Sequence, residues 1–402
     1  MIGAKGLPMP SSRKLVELEA LRGIAAITVL VHHFMLGFTP RLHGLSYPDQ
    51  PWSLFGTPAF ALVNGSAAVV VFFVLSGFVL SLRVLRTGSA EVAALAALKR
   101  WPRLAGPVIL TNAMAGGAMA AGLFSNPAVA PLVPSKWLAW FYTWPSAGFA
   151  ETPQSIWEGA TTFFTAHSLY NSSLWTMRYE FEGSFLVLIA ALLWARLPRF
   201  QTPILIALWL AAFIASPYLS PFVVGVALAA RHEAGPGRDW TWRGTAAAIV
   251  AILLLGGYHE AMVGSRPEGL YAPLAPLAAL DPLRLRVVLH TLAAVLSLFL
   301  FQRSAPIRRA MSGQVGSTLG FLSFGIYLCQ IIVICSASSA VFEATVNWGR
   351  GMQIGATFLV TVAGTLALAV PVAIFDRWWM GQVGRLFTLG HARYRARAAA
   401  SV

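Results

Sequence analysis

The sequence predicts an all-α, polytopic membrane helix bundle with about ten transmembrane helices. Hydrophobic residues make up 57% of the 402 residues and charged residues only 11%, whereas soluble domains contain about 25% charged residues. This amount of charge cannot cover a water-facing surface, so most of the outer surface must contact lipid. No polar stretch is long enough to form a second globular unit, which predicts a single membrane domain.

Apolar runs mark the candidate crossings, because a span needs about 20 apolar residues to cross about 30 Å of hydrocarbon. The candidate spans are residues 19–38, 61–82, 104–124, 174–195, 202–216, 218–230, 244–258, 287–301, 317–338 and 353–375. The fifth, sixth and seventh are short, which leaves broken or re-entrant segments possible there. We expect a cytoplasmic segment 1–18, a transmembrane domain 19–375 and a basic cytoplasmic tail 376–402.

The basic residues orient this bundle in the membrane. With a cytoplasmic N-terminus, 22 of the 29 Lys and Arg residues fall on the cytoplasmic side. This bias predicts an even number of spans with both termini in the cytoplasm. The basic residues form short clusters between apolar runs, so the net charge of +14 does not indicate nucleic-acid binding. The Ala- and Arg-rich composition suggests a bacterial inner membrane.

The remaining segments are predicted to be external loops or structural features. The long external segments are 39–60, 125–173, 259–286 and 339–352, and tryptophans in the second are expected to anchor it at the bilayer interface. Cys329 and Cys335 lie in an apolar run without metal-ligand spacing, so we expect no metal site. Gly316 and Gly320 form a GxxxG motif, which weakly indicates helix packing.

Ionisable groups within spans are costly and are therefore functional candidates. Arg22 and His33 are 11 residues apart on the first helix, which places them on one face and about 16 Å apart along the axis. Arg22 is expected near the cytoplasmic interface and His33 past the midplane. Alternatively, Arg22 reaches headgroups and His33 bonds a neighbouring helix.

Arg178, Glu180 and Glu182 open the fourth span at its external end. A carboxylate there would lie at the depth of His33, which allows a His–carboxylate pair. The alternative is an acidic first turn favoured by the helix dipole. On a helix Glu180 and Glu182 point about 200° apart, so at most one of them faces a given site.

Two further groups carry candidate residues. Lys99, Arg100 and Arg103 precede the third span, either as ordinary cytoplasmic charge or as an anion site suited to phosphate. Tyr327 and Gln330 lie inside the ninth span, where they either line a site or tie helices together.

Taken together, five segments resemble the acyltransferase family 3 membrane proteins, which move acyl groups onto carbohydrates and other extracytoplasmic acceptors. The segments are Leu18–Ala26 running on to His33, Phe72–Phe78, Lys99–Arg103 followed by Pro107, Ser173–Glu180 and Ser323–Leu328. They occur in the family's order from residue 18 to 330. In that order, they are similar to the family's opening helix with its Arg and His, its second-helix signature, its basic loop, its Leu-Trp segment and its late Tyr-Leu segment.

The resemblance implies an acyl donor made in the cytoplasm and a hydroxyl acceptor outside, with no bound cofactor. For such a donor, Arg100 and Arg103 are placed to hold the coenzyme A phosphates. His33 has the depth expected of a general base, and imidazole titrates near neutral pH. Glu180 would then orient His33, and Arg22 would assist at the donor end. Ser76 lies in a small Ser-Gly pair that allows close approach of substrate or backbone.

One position departs from the family pattern, since Gln330 stands where many members have a histidine, and Gln cannot carry a proton near neutral pH. We expect acetyl-CoA as donor, with succinyl transfer as the alternative, and a glycan as acceptor; lipid-linked sugars, antibiotics and peptides stay open. The competing function is a proton-coupled transporter or flippase, because intramembrane Arg, His and Glu also serve proton relays.

Overall fold

The computed structural model describes residues 15–235, 237–260 and 267–400, with side chains as far as residue 387. The described chain is helical and contains no strand. The long helices are α1 Val16–Phe38, α2 Gly65–Thr87, α3 Ala90–Ala120, α4 Glu151–Thr165, α5 Trp175–Arg196, α6 Gln201–Ala215, α7 Ser220–Glu233, α8 Trp242–Gly256, α9 Pro282–Arg303, α10 Gln314–Val333 and α11 Arg350–Ala400. The π-helical turn Ile334–Ser338 and the short helix Ser339–Ala344 extend α10.

Short helical turns fill the connections between these helices. The α-helical ones are Pro40–His43, Asn126–Val129, Ala275–Leu280 and Ala305–Met311. The 3₁₀ turns are Pro58–Val63, Leu138–Trp140, Gly148–Ala150, Ser172–Leu174, Pro198–Phe200, Pro217–Leu219 and Gly269–Leu274. Because connecting backbone needs hydrogen-bond partners wherever it is buried, these turns supply bonds that an irregular loop would lack.

The all-α membrane bundle is confirmed, since six described helical stretches are long and apolar enough to cross a bilayer. They are Val16–Phe38, Gly65–Thr87, Pro198–Ala215, Pro282–Arg303, Gln314–Ala344 and Arg350–Phe387. Apart from α4, the long helices coincide with the ten predicted spans, and the number of crossings stays a prediction. The predicted boundary at residue 375 falls within α11, which runs on to Ala400, and the boundary between membrane domain and tail stays a prediction. Most of the predicted 1–18 segment lies outside the described residues.

Arginine-rich helix ends gather at one end of the bundle, which we call the basic face. At this face Arg86 of α2 pairs with Glu233 of α7 at 2.8 Å. The end of α5 joins the same layer, since Arg196 Nε donates to the Gly88 carbonyl at 3.1 Å. Arg308, after α9, pairs with Asp239, before α8, at 2.8 Å. The ends of α2, α5, α7 and α9 therefore lie at the basic face.

Glycines let neighbouring helices approach to backbone contact. A Cβ on Gly77 of α2 would lie 2.2 Å from the Phe222 carbonyl oxygen, and one on Gly225 of α7 would lie 2.3 Å from the Val74 carbonyl oxygen. The predicted close approach of backbone at the Ser76–Gly77 pair is therefore confirmed. Gly320 of the predicted GxxxG packs similarly tightly, with its Cβ position 2.4 Å from Glu19.

One predicted external segment is partly wrong. Within 125–173, α4 packs along α3 on one side, while its other side, with Trp157 and Phe164, is exposed. Gly159 of α4 lies against Ile109, and Trp101 Nε1 donates to the Ala160 carbonyl at 3.2 Å. Because Trp101 belongs to the first half of α3, α4 reaches well into the bundle before the chain turns back into α5. This depth decides where the first turns of α5 lie.

Candidate functional site

A cavity of about 1690 Å³ opens at the basic face. It is larger than the about 300–1,000 Å³ usual for a small-ligand pocket. Its mouth is charged: the basic lining residues are Arg22, Arg83, Arg86, Lys99, Arg100, Arg103, Arg308 and Arg309, and the acidic ones are Glu17, Glu19, Glu91, Glu180 and Asp376. Its deep end is apolar, with Val69, Phe72, Phe73, Met177 and Phe324 in the wall. The cavity therefore suits a large ligand with an anionic head and a narrow apolar arm.

A buried ion pair organises the wall of this cavity. Arg100 of α3 is only 7% exposed, and its Nη2 lies 2.8 Å from Glu180 Oε2 on α5. Ser76 Oγ of α2 donates to the same carboxylate oxygen at 2.8 Å, and Arg100 Nε donates to Ser184 Oγ. A charge buried in this way must be paired and hydrogen-bonded. Arg100 is thus paired with Glu180, and the hydrogen bonds of this pair connect α2, α3 and α5.

The guanidinium groups of Arg22 and Arg103 also line the cavity. Arg22 of α1 donates from Nε to Ser323 Oγ at 3.0 Å and from Nη2 to the Gly320 carbonyl at 3.1 Å. Arg103 is exposed in the cavity. Among the described residues neither Arg22 nor Arg103 forms an ion pair, so both can receive an anion.

The predicted basic loop is in fact helix. Lys99, Arg100 and Arg103 lie within α3, which begins at Ala90. Residues three and four apart share a helix surface, so all three side chains line the cavity from one helix. A helix holds their relative positions more firmly than a loop would.

Tyr327 closes the deep end of the cavity. Its hydroxyl donates to the Ser173 carbonyl at 2.7 Å and lies 2.8 Å from Thr176 Oγ1. The ring also meets Phe72 edge-on at 5.6 Å. These contacts join α10 to the start of α5 and separate the cavity from the side chains nearer the opposite face.

His33 lies beyond this closure and is turned into the protein. Its ring stacks on Trp137 at 5.1 Å with 15° between the planes, and Gln330 of α10 lies within interaction range of the ring. Arg22 and His33 thus both face α10, which confirms that they share one face of α1. His33 is not among the residues that line the cavity.

The predicted pairing of Glu180 with His33 is wrong. Glu180 accepts hydrogen bonds from Ser76 and Arg100 and lies in the cavity with Arg22. The prediction assumed that α5 starts at the opposite face. Instead Ser173, just before α5, and Thr176, in its first turn, both contact Tyr327. Glu180 therefore lies further from the opposite face than expected.

Some polar residues of the site were not predicted. Asp376 lines the cavity from α11, although the sequence places it at the start of the basic tail. Its position as an acidic residue directly after an apolar run was the available signal. Ser184 gave no signal, because single Ser residues are common in such chains. Trp137 belongs to the tryptophans that were expected to anchor the external segment at the bilayer interface, and its ring instead stacks on His33.

A second buried polar cluster lies near the opposite face. Arg286 of α9 pairs with Glu260 at 2.6 Å and lies 3.0 Å from His259 Nε2. Its Nη2 also donates to Tyr218 Oη at 2.8 Å. Burial raises the pKa of Glu260, and the Arg286 charge opposes that shift. This cluster ties α9 to the 3₁₀ turn before α7.

The described fold is that of an integral membrane protein with a charged cavity reaching in from one face. The family model for the acyltransferase domain of acyltransferase family 3 matches residues 15–374. The chain belongs to this family and is an acyltransferase, which decides against the transporter alternative. No curated protein and no solved structure gives a significant match.

Proposed function

We propose that this protein moves an acetyl group from cytoplasmic acetyl-CoA to a hydroxyl group of an extracytoplasmic acceptor, with a glycan as the acceptor class. The observation that carries the proposal is the pair of guanidinium groups, Arg22 and Arg103, that face the 1690 Å³ cavity without an ion pair among the described residues. The basic face is then cytoplasmic, with both termini on that side, as in a bacterial inner membrane protein.

The cavity supports an acyl-CoA donor in two respects. Arg forks bind phosphate through paired charge-assisted hydrogen bonds, and Arg103 and Arg22 offer such groups in the cavity. Lys99 adds a single ammonium charge there. The apolar wall at Val69, Phe72 and Phe324 suits the narrow pantetheine arm. Arg100 contributes indirectly, by holding Glu180 and Ser76 in place. A succinyl donor would use the same cations for its free carboxylate.

His33 is the proposed general base. Imidazole titrates near neutral pH and can accept the proton of an acceptor hydroxyl. The hydroxyl oxygen then attacks the thioester carbonyl, a C–O ester bond forms, the C–S bond breaks, and the coenzyme A thiolate leaves and takes up a proton. The donor's arm has to pass Tyr327 for its thioester to reach His33.

The decisive experiment is donor turnover in proteoliposomes. Purified protein with acetyl-CoA at the basic face and a glycan acceptor at the other face should release free coenzyme A thiol and acetylate the glycan. Thiol release is followed colorimetrically and the acetylated glycan by mass spectrometry. Absence of both products with every acyl-CoA supplied would exclude acyl-CoA as the donor.

Arg103→Ala should weaken acetyl-CoA binding about tenfold to a hundredfold, because a hydrogen bond to a charged group is worth about 1.5–3 kcal/mol. Isothermal titration calorimetry measures this affinity directly. Arg231→Ala is the matched control, since Arg231 is exposed near the basic face but does not line the cavity. Equal affinities of the two variants would remove Arg103 from the donor site.

A further inference from the structure

His33 and Gln330 meet where α1 and α10 run side by side. Arg22 of α1 contacts Ser323 and Gly320 of α10. Further along, a Cβ on Gly37 of α1 would lie 3.7 Å from Ile334, just beyond α10. His33 lies between these two levels on α1 and Gln330 between them on α10. Gln330 is fully buried, and its side chain interacts with that of His33.

The hydrogen bonds of the Gln330 amide determine its orientation. Its Nε2 donates to the Tyr327 carbonyl at 3.3 Å, and its Oε1 has no hydrogen-bond partner. A flipped amide would set Oε1 against the Tyr327 carbonyl oxygen, so that two acceptors face each other. This orientation therefore leaves Oε1 as an unpaired acceptor on a side chain that interacts with His33.

The enclosed ring nitrogen of His33 complements this oxygen. Nδ1 is buried, and no atom in the described part of the chain lies at hydrogen-bonding distance and angle from it. Two buried unpaired groups side by side are costly unless one donates to the other. Because Oε1 carries no hydrogen, a hydrogen bond between the two groups requires the proton to be on Nδ1 of the imidazole. A neutral imidazole with Nδ1–H has its lone pair on Nε2.

We propose that Gln330 is a positioning residue that holds His33 as the Nδ1–H tautomer, with the Nε2 lone pair directed to the acceptor hydroxyl. The proposal rests on the proposed role of His33 as general base. It also gives Gln330 a function that needs no proton transfer of its own. Trp137 stacks on the ring face and restricts its tilt.

Other groups around His33 do not supply this contact. His32 precedes it on α1, with ring centroids 5.3 Å apart, and its Nδ1 lies 3.0 Å from the Val63 carbonyl and 2.9 Å from His43 Nε2. Burial lowers the pKa of His43 to about 2, so this ring stays neutral. Trp137 from the external segment carries no charge. His32 and His43 are therefore the titratable neighbours, and neither of them bonds Nδ1 of His33.

The test compares Gln330→Met with Gln330→Glu. Methionine has a similar length but is a poor acceptor, so kcat should fall about tenfold to a hundredfold while the KM for acetyl-CoA stays unchanged. Glutamate keeps the acceptor and adds charge that favours imidazolium, so kcat should be retained and the acidic limb of the pH–rate profile should move to higher pH. Wild-type kcat in Gln330→Met, or an unmoved limb in Gln330→Glu, would overturn the proposal.

A second measurement is independent of catalysis. With ¹⁵N-labelled histidine, the ring-nitrogen chemical shifts of His33 report which nitrogen carries the proton. The expected wild-type pattern is a protonated Nδ1 and a bare Nε2, lost in Gln330→Met. His33→Gln identifies the His33 signals. A wild-type Nε2–H pattern would refute the positioning role even if acyl transfer is observed, and failed transfer with the Nδ1–H pattern would instead count against the proposed function.

Discussion

His33→Ala is expected to lower the rate of acyl transfer by about 10²- to 10⁴-fold, the range that a positioned general base contributes. His33 lies beyond Tyr327 and outside the cavity lining, so acetyl-CoA affinity should stay at the wild-type value. Initial rates of thiol release and calorimetric donor affinity, measured on the same preparation, separate the two effects.

The control for this variant is His167→Ala. His167 is exposed after α4 and should tolerate replacement without loss of rate. Near-normal transfer by His33→Ala would exclude His33 as the base. Loss of donor affinity together with rate would show that the substitution disturbs the cavity through Tyr327.

Glu180→Ala is expected to destabilise the protein by about 3–5 kcal/mol, because removing one partner of a buried ion pair leaves the other charge uncompensated. Arg100 would lose its carboxylate, and Ser76 would lose its acceptor. The measurement is the shift of the thermal unfolding midpoint in detergent, followed by tryptophan fluorescence.

The matched control for Glu180→Ala is Glu182→Ala on the same helix. Glu182 pairs with Arg178 at 2.7 Å, but both side chains are substantially exposed, at 46% for Arg178 and 38% for Glu182. Exposed pairs contribute about 0–1 kcal/mol, so the unfolding midpoint should barely move. Equal shifts for the two variants would mean that the Arg100–Glu180 pair does not organise the cavity wall.

The double variant Arg100→Met/Glu180→Leu tests the same pair from the other direction. Replacing both charges by apolar groups is often neutral for stability. Stability should therefore recover relative to Glu180→Ala, while donor turnover stays low because the cavity has lost its polar wall. A double variant as unstable as the single one would point to lost packing rather than an unpaired charge.

Several features of the site were predictable because they depend on local geometry. Eleven residues make just over three helical turns, so Arg22 and His33 had to share a face of α1. The Ser76–Gly77 pair has little side-chain volume, and α7 does approach α2 there. Ionisable residues in apolar runs are costly, which marked Arg22, His33 and Glu180 as candidates.

The partners of these residues were less predictable. Glu180 was expected near His33 because counting residues from the start of a span assumes that the span starts at the surface. α4 packs along α3 into the bundle, so α5 starts at the level of Tyr327 and Glu180 reaches Arg100. The depth of one helix relative to another follows from such packing, which hydropathy does not encode.

Composition and apolar periodicity were sufficient for the membrane bundle, the approximate helix positions and the short set of ionisable side chains, because each follows from the cost of placing charge or unpaired backbone in hydrocarbon. Tertiary packing alone decided that Arg100 pairs with Glu180, that Arg22 and Arg103 line the cavity without an ion pair among the described residues, and that Gln330 interacts with His33. These pairings join residues far apart in the chain, and their geometry depends on how far each helix slides along its neighbours.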